Sequence, residues 1–109
     1  MKIGAHQSAA GGPFKAVQRA ITDQCESLQI FTKNNNRWQQ RPWTDQEAER
    51  FRNDYADSGL SGVISHASYL INLCSMREDV RVKSVDALID EMDRCAQLGI
   101  PLLLSLIHI

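Results

Sequence analysis

The sequence predicts an α/β protein in which a parallel sheet lies against helices, and two features predict it. Four short apolar runs alternate with three stretches of helical periodicity along 109 residues. Their order, βαβαβαβ, spaces the runs at roughly the length of a βαβ unit, and such alternation argues for parallel strands joined by crossover helices. A doubly wound sheet and a (β/α)8 barrel both fit. Both gather ligands at the carboxyl ends of the strands, so both place His6, the loop from Thr32 to Arg37, His66 and Tyr69 on one functional face.

The first run, Ile3-Gly4-Ala5-His6, leads into Ser8-Ala9-Ala10-Gly11-Gly12, which reads as a tight turn into a helix. Pro13 suits the first helical position, where its missing N–H costs nothing. Phe14, Val17, Ala20 and Ile21 then form an apolar stripe. The second run, Ser27-Leu28-Gln29-Ile30-Phe31, opens into a polar loop from Thr32 to Pro42. Thr44-Asp45-Gln46-Glu47 is a capping box, in which Thr44 and Glu47 satisfy each other's free N–H groups. The second helix carries Ala48, Phe51 and Tyr55 on one face, and Gly59 fits its C′ position. Phe14, Phe51 and Tyr55 are expected in the core. The third run, Gly62-Val63-Ile64-Ser65-His66, is followed by Ala67-Ser68-Tyr69-Leu70-Ile71-Asn72. The third helix is expected to bury Val82, Val85, Leu88, Ile89, Met92 and Ala96 and to keep the pairs Asp79/Lys83 and Asp90/Arg94 in water. Gly99 ends it, and Pro101 starts a last run, Leu102 to Ile109.

Composition limits the function classes. Twelve Lys and Arg against 13 Asp and Glu give a formal charge of −1. A chain that binds DNA by bulk charge is strongly basic, so any nucleic-acid contact here comes from a few local residues. The 43% hydrophobic and 23% charged fractions are those of a folded globular chain. No run of about 18 apolar residues exists, so no membrane span is expected, and the start, Met1 to His6, holds no apolar signal-peptide core. Cys25, Cys74 and Cys95 are odd in number and widely spaced. That pattern suits reduced thiols in a cytoplasmic protein better than a disulfide framework.

His66 ends an apolar run and is followed by a small residue, so its ring is expected at the mouth of the sheet. An imidazole there serves as a metal ligand, as an acid or base, or as a hydrogen-bonded structural group. His6 ends the first run in the same way. The loop Lys33-Asn34-Asn35-Asn36-Arg37-Trp38 combines a cation, amides and an aromatic. That set grips phosphates and stacks on bases, and ordinary polar loops contain it too. No HExxH, GxSxG, Walker or GxGxxG motif is present.

Ile3-Gly4-Ala5-His6-Gln7-Ser8-Ala9-Ala10-Gly11-Gly12 resembles the opening of the endonuclease IV family of apurinic/apyrimidinic (AP) endonucleases, which usually reads IGAHVSAAGG. Phe31-Thr32-Lys33-Asn34 with Trp38 resembles that family's second-strand loop, and His66 to Leu73 matches its H-x-x-YLINL segment. Lys83-Ser84, Ile89 to Met92, Arg94-Cys95 and Leu98-Gly99 resemble its third helix, so the similarity runs from residue 2 to about residue 103.

The resemblance implies the N-terminal half of a (β/α)8 TIM barrel, truncated to four parallel strands with three helices over residues 1–103. Residues 104–109 are expected to be a non-native tail, to be left out of fold reasoning. The resemblance also implies a zinc-dependent DNA-repair enzyme, an AP endonuclease (deoxyribonuclease IV) that hydrolyses the phosphodiester 5′ to abasic sites in double-stranded DNA. The full-length family holds three zinc ions. By the same resemblance His66 matches the first zinc ligand, and Tyr69 and Leu70 match residues that enter the DNA at the lesion, lowering the cost of bending and flipping. Asn34 and Asn35 fall in the loop that probes the minor groove, with Arg37 beside them, and His6 matches a residue near the abasic nucleotide.

Two departures stand out. The family loop reads K-N-x-R-x-W, whereas Asn36 holds the Arg position here and Arg37 follows it. The family's fourth-strand His corresponds to Leu106, so His108, two residues on, receives no metal role. The remaining ligands, from later strands, are missing, and the 109-residue chain is expected to be inactive by itself. The alternatives are a metal-dependent sugar isomerase or epimerase-like TIM barrel, and a non-enzymatic half-barrel.

Overall fold

The alternation of apolar residues produces short strands, and the intervening amphipathic stretches produce helices. The computed structural model describes residues 1–106, in the order β1 (Gly4–His6), α1 (Pro13–Thr22), β2 (Ser27–Ile30), α2 (Asp45–Asp57), β3 (Val63–His66), α3 (Glu78–Leu98) and β4 (Leu103–Leu104). All strand pairs are parallel, and the spatial order is β1-β2-β3-β4. A doubly wound sheet reverses its order at a switch point. This sheet does not reverse, which is the strand order of an arc of a (β/α)8 barrel.

Register gives the sheet two faces. Leu28, Ile30, Val63 and Ser65 are buried toward the helices. His6, Gln29 and Ile64 stand side by side on the other face, and further along it His66 lies beside Leu104. A Cβ at Gly4 would come within 2.2 Å of the Ser27 carbonyl oxygen, so only glycine lets β1 approach β2 this closely. The main core joins Ala16, Val17 and Ala20 of α1, Ala48 and Phe51 of α2, and Cys95 and Leu98 of α3 to Leu28, Ile30 and Val63 of the sheet.

Helix ends follow the local chemistry. Pro13 begins α1, and Thr44 caps α2: its hydroxyl accepts from the Glu47 N–H at 3.1 Å, and its own N–H donates to the Glu47 carboxylate at 2.9 Å. Gly99, at φ 71°, closes α3 in the left-handed conformation. Among the described residues no helix is long and apolar enough to cross a membrane. Cys25, Cys74 and Cys95 are free thiols.

Expectations about α1 and α3 are corrected. In α1 the buried set is Pro13, Ala16, Val17 and Ala20, and Ile21 is exposed. Phe14 is half-buried, with the Arg50 guanidinium 3.7 Å from its ring centroid. The larger correction concerns α3. Val82, Val85, Ile89 and Met92 are exposed, and the buried residues are Ser84, Ala87, Glu91, Arg94, Cys95 and Leu98. Four of these, 84, 87, 91 and 95, each precede an expected stripe residue by one, so the helix is rotated by about 100° from the expected orientation. The reason is that polar side chains on this face bond to loop backbone, a gain that apolar periodicity does not register. Arg94 does pair with Asp90, at 2.9 Å, yet it is buried. Asp79 pairs with Arg77 instead of Lys83. β4 has only two residues, and Ile107, His108 and Ile109 lie outside the described residues.

Candidate functional site

Side chains two apart on a strand share a face. That parity carries His6, Phe31 and His66 to the carboxyl ends of β1, β2 and β3 on the face away from the helices. Phe31 is the hub. Its ring centroid lies 4.5 Å from His6, 5.5 Å from His66 and 5.6 Å from Tyr69, all edge-on. His66 and Tyr69 are 5.9 Å apart. Such edge-to-face pairs each contribute about 0.5–1.5 kcal/mol beyond burial. Sequence reasoning misses Phe31 as a site residue; its parity with Gln29, opposite His6, is the signal available.

The hydrogen bonds assign different roles to the two imidazoles. His66 Nδ1 donates to the Ala67 carbonyl at 2.7 Å, which leaves Nε2 as a free lone pair, the form in which histidine binds metal. His6 Nδ1 accepts from the Gln29 side-chain amide at 3.0 Å, which leaves Nε2–H as a donor. Burial holds the His6 imidazole below its ordinary value, and the neighbouring His66 adds to the effect. His66 therefore fits a zinc ion as one ligand. A catalytic zinc takes three protein ligands, and among the described residues no group of three or more His, Cys, Asp or Glu side chains could hold a metal.

Asn34, Asn35 and Asn36 line an open cleft of about 580 Å³ together with His6, Phe31 and Trp43. An Asx turn shapes this segment: Asn34 Oδ1 accepts from the Asn36 N–H at 2.9 Å. Tyr69 is exposed and Leu70 half-buried. The structure thus brings His6, Asn34, Asn35, His66 and Tyr69 to one end of the sheet. Arg37 is directed elsewhere, into a second depression of about 740 Å³ with Trp38, Lys83 and Asp86. Lys33 is not a free cation. Its side chain is fully buried, donates to the Trp38 carbonyl at 3.1 Å and lies 3.7 Å from Asp90.

Beneath both loops lies the polar face of α3, which sequence reasoning placed in water or overlooked. Glu91 accepts the Ser68 N–H with both oxygens, at 3.0 and 3.2 Å. Burial pushes its carboxyl up, opposed by that N–H and by Lys33 and Arg94. Arg94 donates to the carbonyls of Gln40 and Arg41, and Ser84 Oγ accepts from the Asn72 N–H at 2.8 Å. The signal was present: residues 84, 87, 91, 94 and 98 recur at helical spacing.

Residues 17–108 match the model of the xylose isomerase-like TIM barrel family. A protein of Trichlorobacter lovleyi named "Probable endonuclease 4" is 51% identical over 98 residues, 90% of this chain and 35% of that protein. A protein of the same name from Halorhodospira halophila is 47% identical over 102 residues, 94% of this chain and 34% of the relative. The chain thus spans about a third of the length of these curated relatives. The crystal structure of endonuclease IV from Thermus thermophilus superposes with a TM-score of 0.91 at 34% identity, over 96% of this chain and 39% of that one. A D-psicose 3-epimerase, at a TM-score of 0.67 and 17% identity over 96% of this chain and 37% of its own, shares the fold alone. The chain therefore belongs to the xylose isomerase-like TIM barrel family and, within it, to the endonuclease IV family.

Proposed function

We propose that this chain is the lesion-binding part of a zinc-dependent AP endonuclease, a deoxyribonuclease IV that hydrolyses the phosphodiester 5′ to abasic sites in double-stranded DNA. The observation that carries the reading is the convergence of His6, His66 and Tyr69 around Phe31 at the strand ends, in a chain of the endonuclease IV family. His66 holds zinc through its free Nε2, with the other ligands drawn from beyond the described residues. Zinc, when bound, supplies Lewis acidity toward the phosphodiester. His6 stays neutral and donates Nε2–H to a sugar or phosphate oxygen at the abasic nucleotide. Tyr69, exposed and edge-on to Phe31, enters the duplex with Leu70 as a wedge, which offsets the cost of unstacking. Asn34 and Asn35 meet the minor groove, and Arg37, turned toward Lys83, contacts backbone phosphate. One imidazole cannot hold a catalytic zinc, so the 109-residue chain by itself binds abasic DNA without cutting it.

The test is fluorescence anisotropy of this chain on a duplex carrying one tetrahydrofuran abasic analogue and on the matched intact duplex. Tighter binding to the abasic duplex is expected. Equal affinity for the two, or zinc-dependent incision by this chain alone, contradicts the reading.

A further inference from the structure

The loops between β2 and α2 and between β3 and α3 lack regular structure, so their buried backbone groups need partners from elsewhere. They find them on one face of α3. Glu91 and Arg94, three residues apart, project from the same side of the helix. Glu91 receives the Ser68 N–H of the β3–α3 loop. Arg94 donates to Gln40 and Arg41 of the β2–α2 loop, with Asp90 as its ionic partner. The two loops are then joined directly, by the Ser68 hydroxyl donating to the Asn35 carbonyl at 2.7 Å. The chain of contacts closes through the β2–α2 loop: helix, Glu91, Ser68, Asn35, then along that loop to Gln40 and Arg41, Arg94, helix. Glu91, Arg94 and Ser68 are 1%, 2% and 4% exposed, so water does not compete for these bonds.

We infer that Glu91, Arg94 and Ser68 form a clamp that fixes the β2–α2 and β3–α3 loops to each other, so that Asn34–Asn36 and Tyr69–Leu70 meet DNA as one preorganised surface. The inference rests on the proposed DNA-binding role of those loops. These are positioning residues and touch no substrate themselves. A buried charged network is a costly way to obtain stability, since apolar packing serves as well; what the network adds is geometry. Loops ordered before DNA arrives lose less entropy on binding. Arginine suits the task because its planar fork reaches two carbonyls and a carboxylate at once, which a lysine ammonium does not reproduce.

The test is amide hydrogen exchange on the 109-residue chain with Ser68→Ala and Arg94→Lys. Ser68→Ala is expected to speed exchange at Asn34, Asn36 and Arg37, in the loop to which Ser68 does not belong. The expected factor is about fivefold, equivalent to about 1 kcal/mol for one hydrogen bond. Arg94→Lys is expected to speed exchange at Ser68 and Ile71 across the clamp, with amides of α1 unchanged. Faster exchange confined to the substituted loop, or spread equally into α1, overturns the clamp. In the anisotropy assay Ser68→Ala is expected to lower the preference for abasic over intact duplex about fivefold, leaving affinity for intact duplex unchanged. An unchanged preference alongside loosened loops overturns the role in DNA binding. A wild-type chain that shows no preference refutes the functional reading, while the exchange measurement still decides whether the clamp exists.

Discussion

Replacing Arg94 by methionine tests which face α3 turns to the core. The guanidinium is 2% exposed and bonds to Asp90, Gln40 and Arg41. The Asp90 side chain is 45% exposed, so it rehydrates and the lost ion pair counts for little. The guanidinium's hydrogen bonds to the carbonyls of half-buried Gln40 and exposed Arg41 are lost, at about 1.5 kcal/mol for each bond from a charged donor. Methionine fills most of the volume, and the expected loss is about 3 kcal/mol, or about 15 °C in melting temperature for a domain of this size. Met92→Gln provides the contrast. Met92 is 56% exposed, and an exposed helix position changes stability by no more than about 0.5 kcal/mol. Urea unfolding followed by circular dichroism measures both. A loss of about 2 kcal/mol or more for Met92→Gln, with a negligible one for Arg94→Met, refutes the orientation and restores the apolar stripe to the core.

Glu47→Gln is expected to cost about 1 kcal/mol at neutral pH by weakening the capping box. The Arg41 guanidinium and the Thr44 N–H hold the Glu47 carboxyl at about 2, against an ordinary 4.5. This contribution is therefore complete above about 4.5 and vanishes as pH falls through about 2, so wild type and variant converge in acid; a pH-independent difference contradicts it. Tyr69→Ala is expected to weaken abasic-duplex binding about tenfold, the scale of a lost stacking contact, whereas His66→Ala leaves it nearly unchanged. Equal losses in anisotropy contradict the division of roles. Val85, Ile89 and Met92 are exposed, and β1 and β4 each pair on one side only among the described residues. The chain is expected to self-associate with concentration, and Ile89→Lys to reduce this; a wild-type sedimentation coefficient independent of concentration contradicts it.

The sheet was legible because strand alternation and glycine, proline and capping signals are local. Pro13, the Thr44–Glu47 box and Gly99 stand where the sequence predicts them. Apolar alternation alone left the architecture open, since it fits a doubly wound sheet as well as a barrel arc; the resemblance implied the half-barrel, and the parallel order β1-β2-β3-β4 agrees with it. The α3 face was misread because Ser84, Glu91 and Arg94 are polar, and their burial depends on carbonyls and N–H groups that come from distant loops. Lys33 was misread for the same reason: as one of a loop's cations it suggests phosphate, yet its ammonium is spent on Trp38 and Asp90. His6, His66 and Tyr69 were readable from their places at or just after the strand ends. Phe31, which joins them, looked like the end of an apolar run until register placed its ring between theirs.

The central claim is most directly tested by incision. Residues 1–103 would replace the matching segment of the Thermus thermophilus endonuclease IV, and the chimera would be loaded with zinc and given a duplex with one abasic site. The account predicts cleavage 5′ to the lesion, and its loss, together with lowered zinc content, on His66→Ala. A folded, zinc-loaded chimera that leaves the abasic strand intact, or one that cuts equally well with His66→Ala, contradicts it.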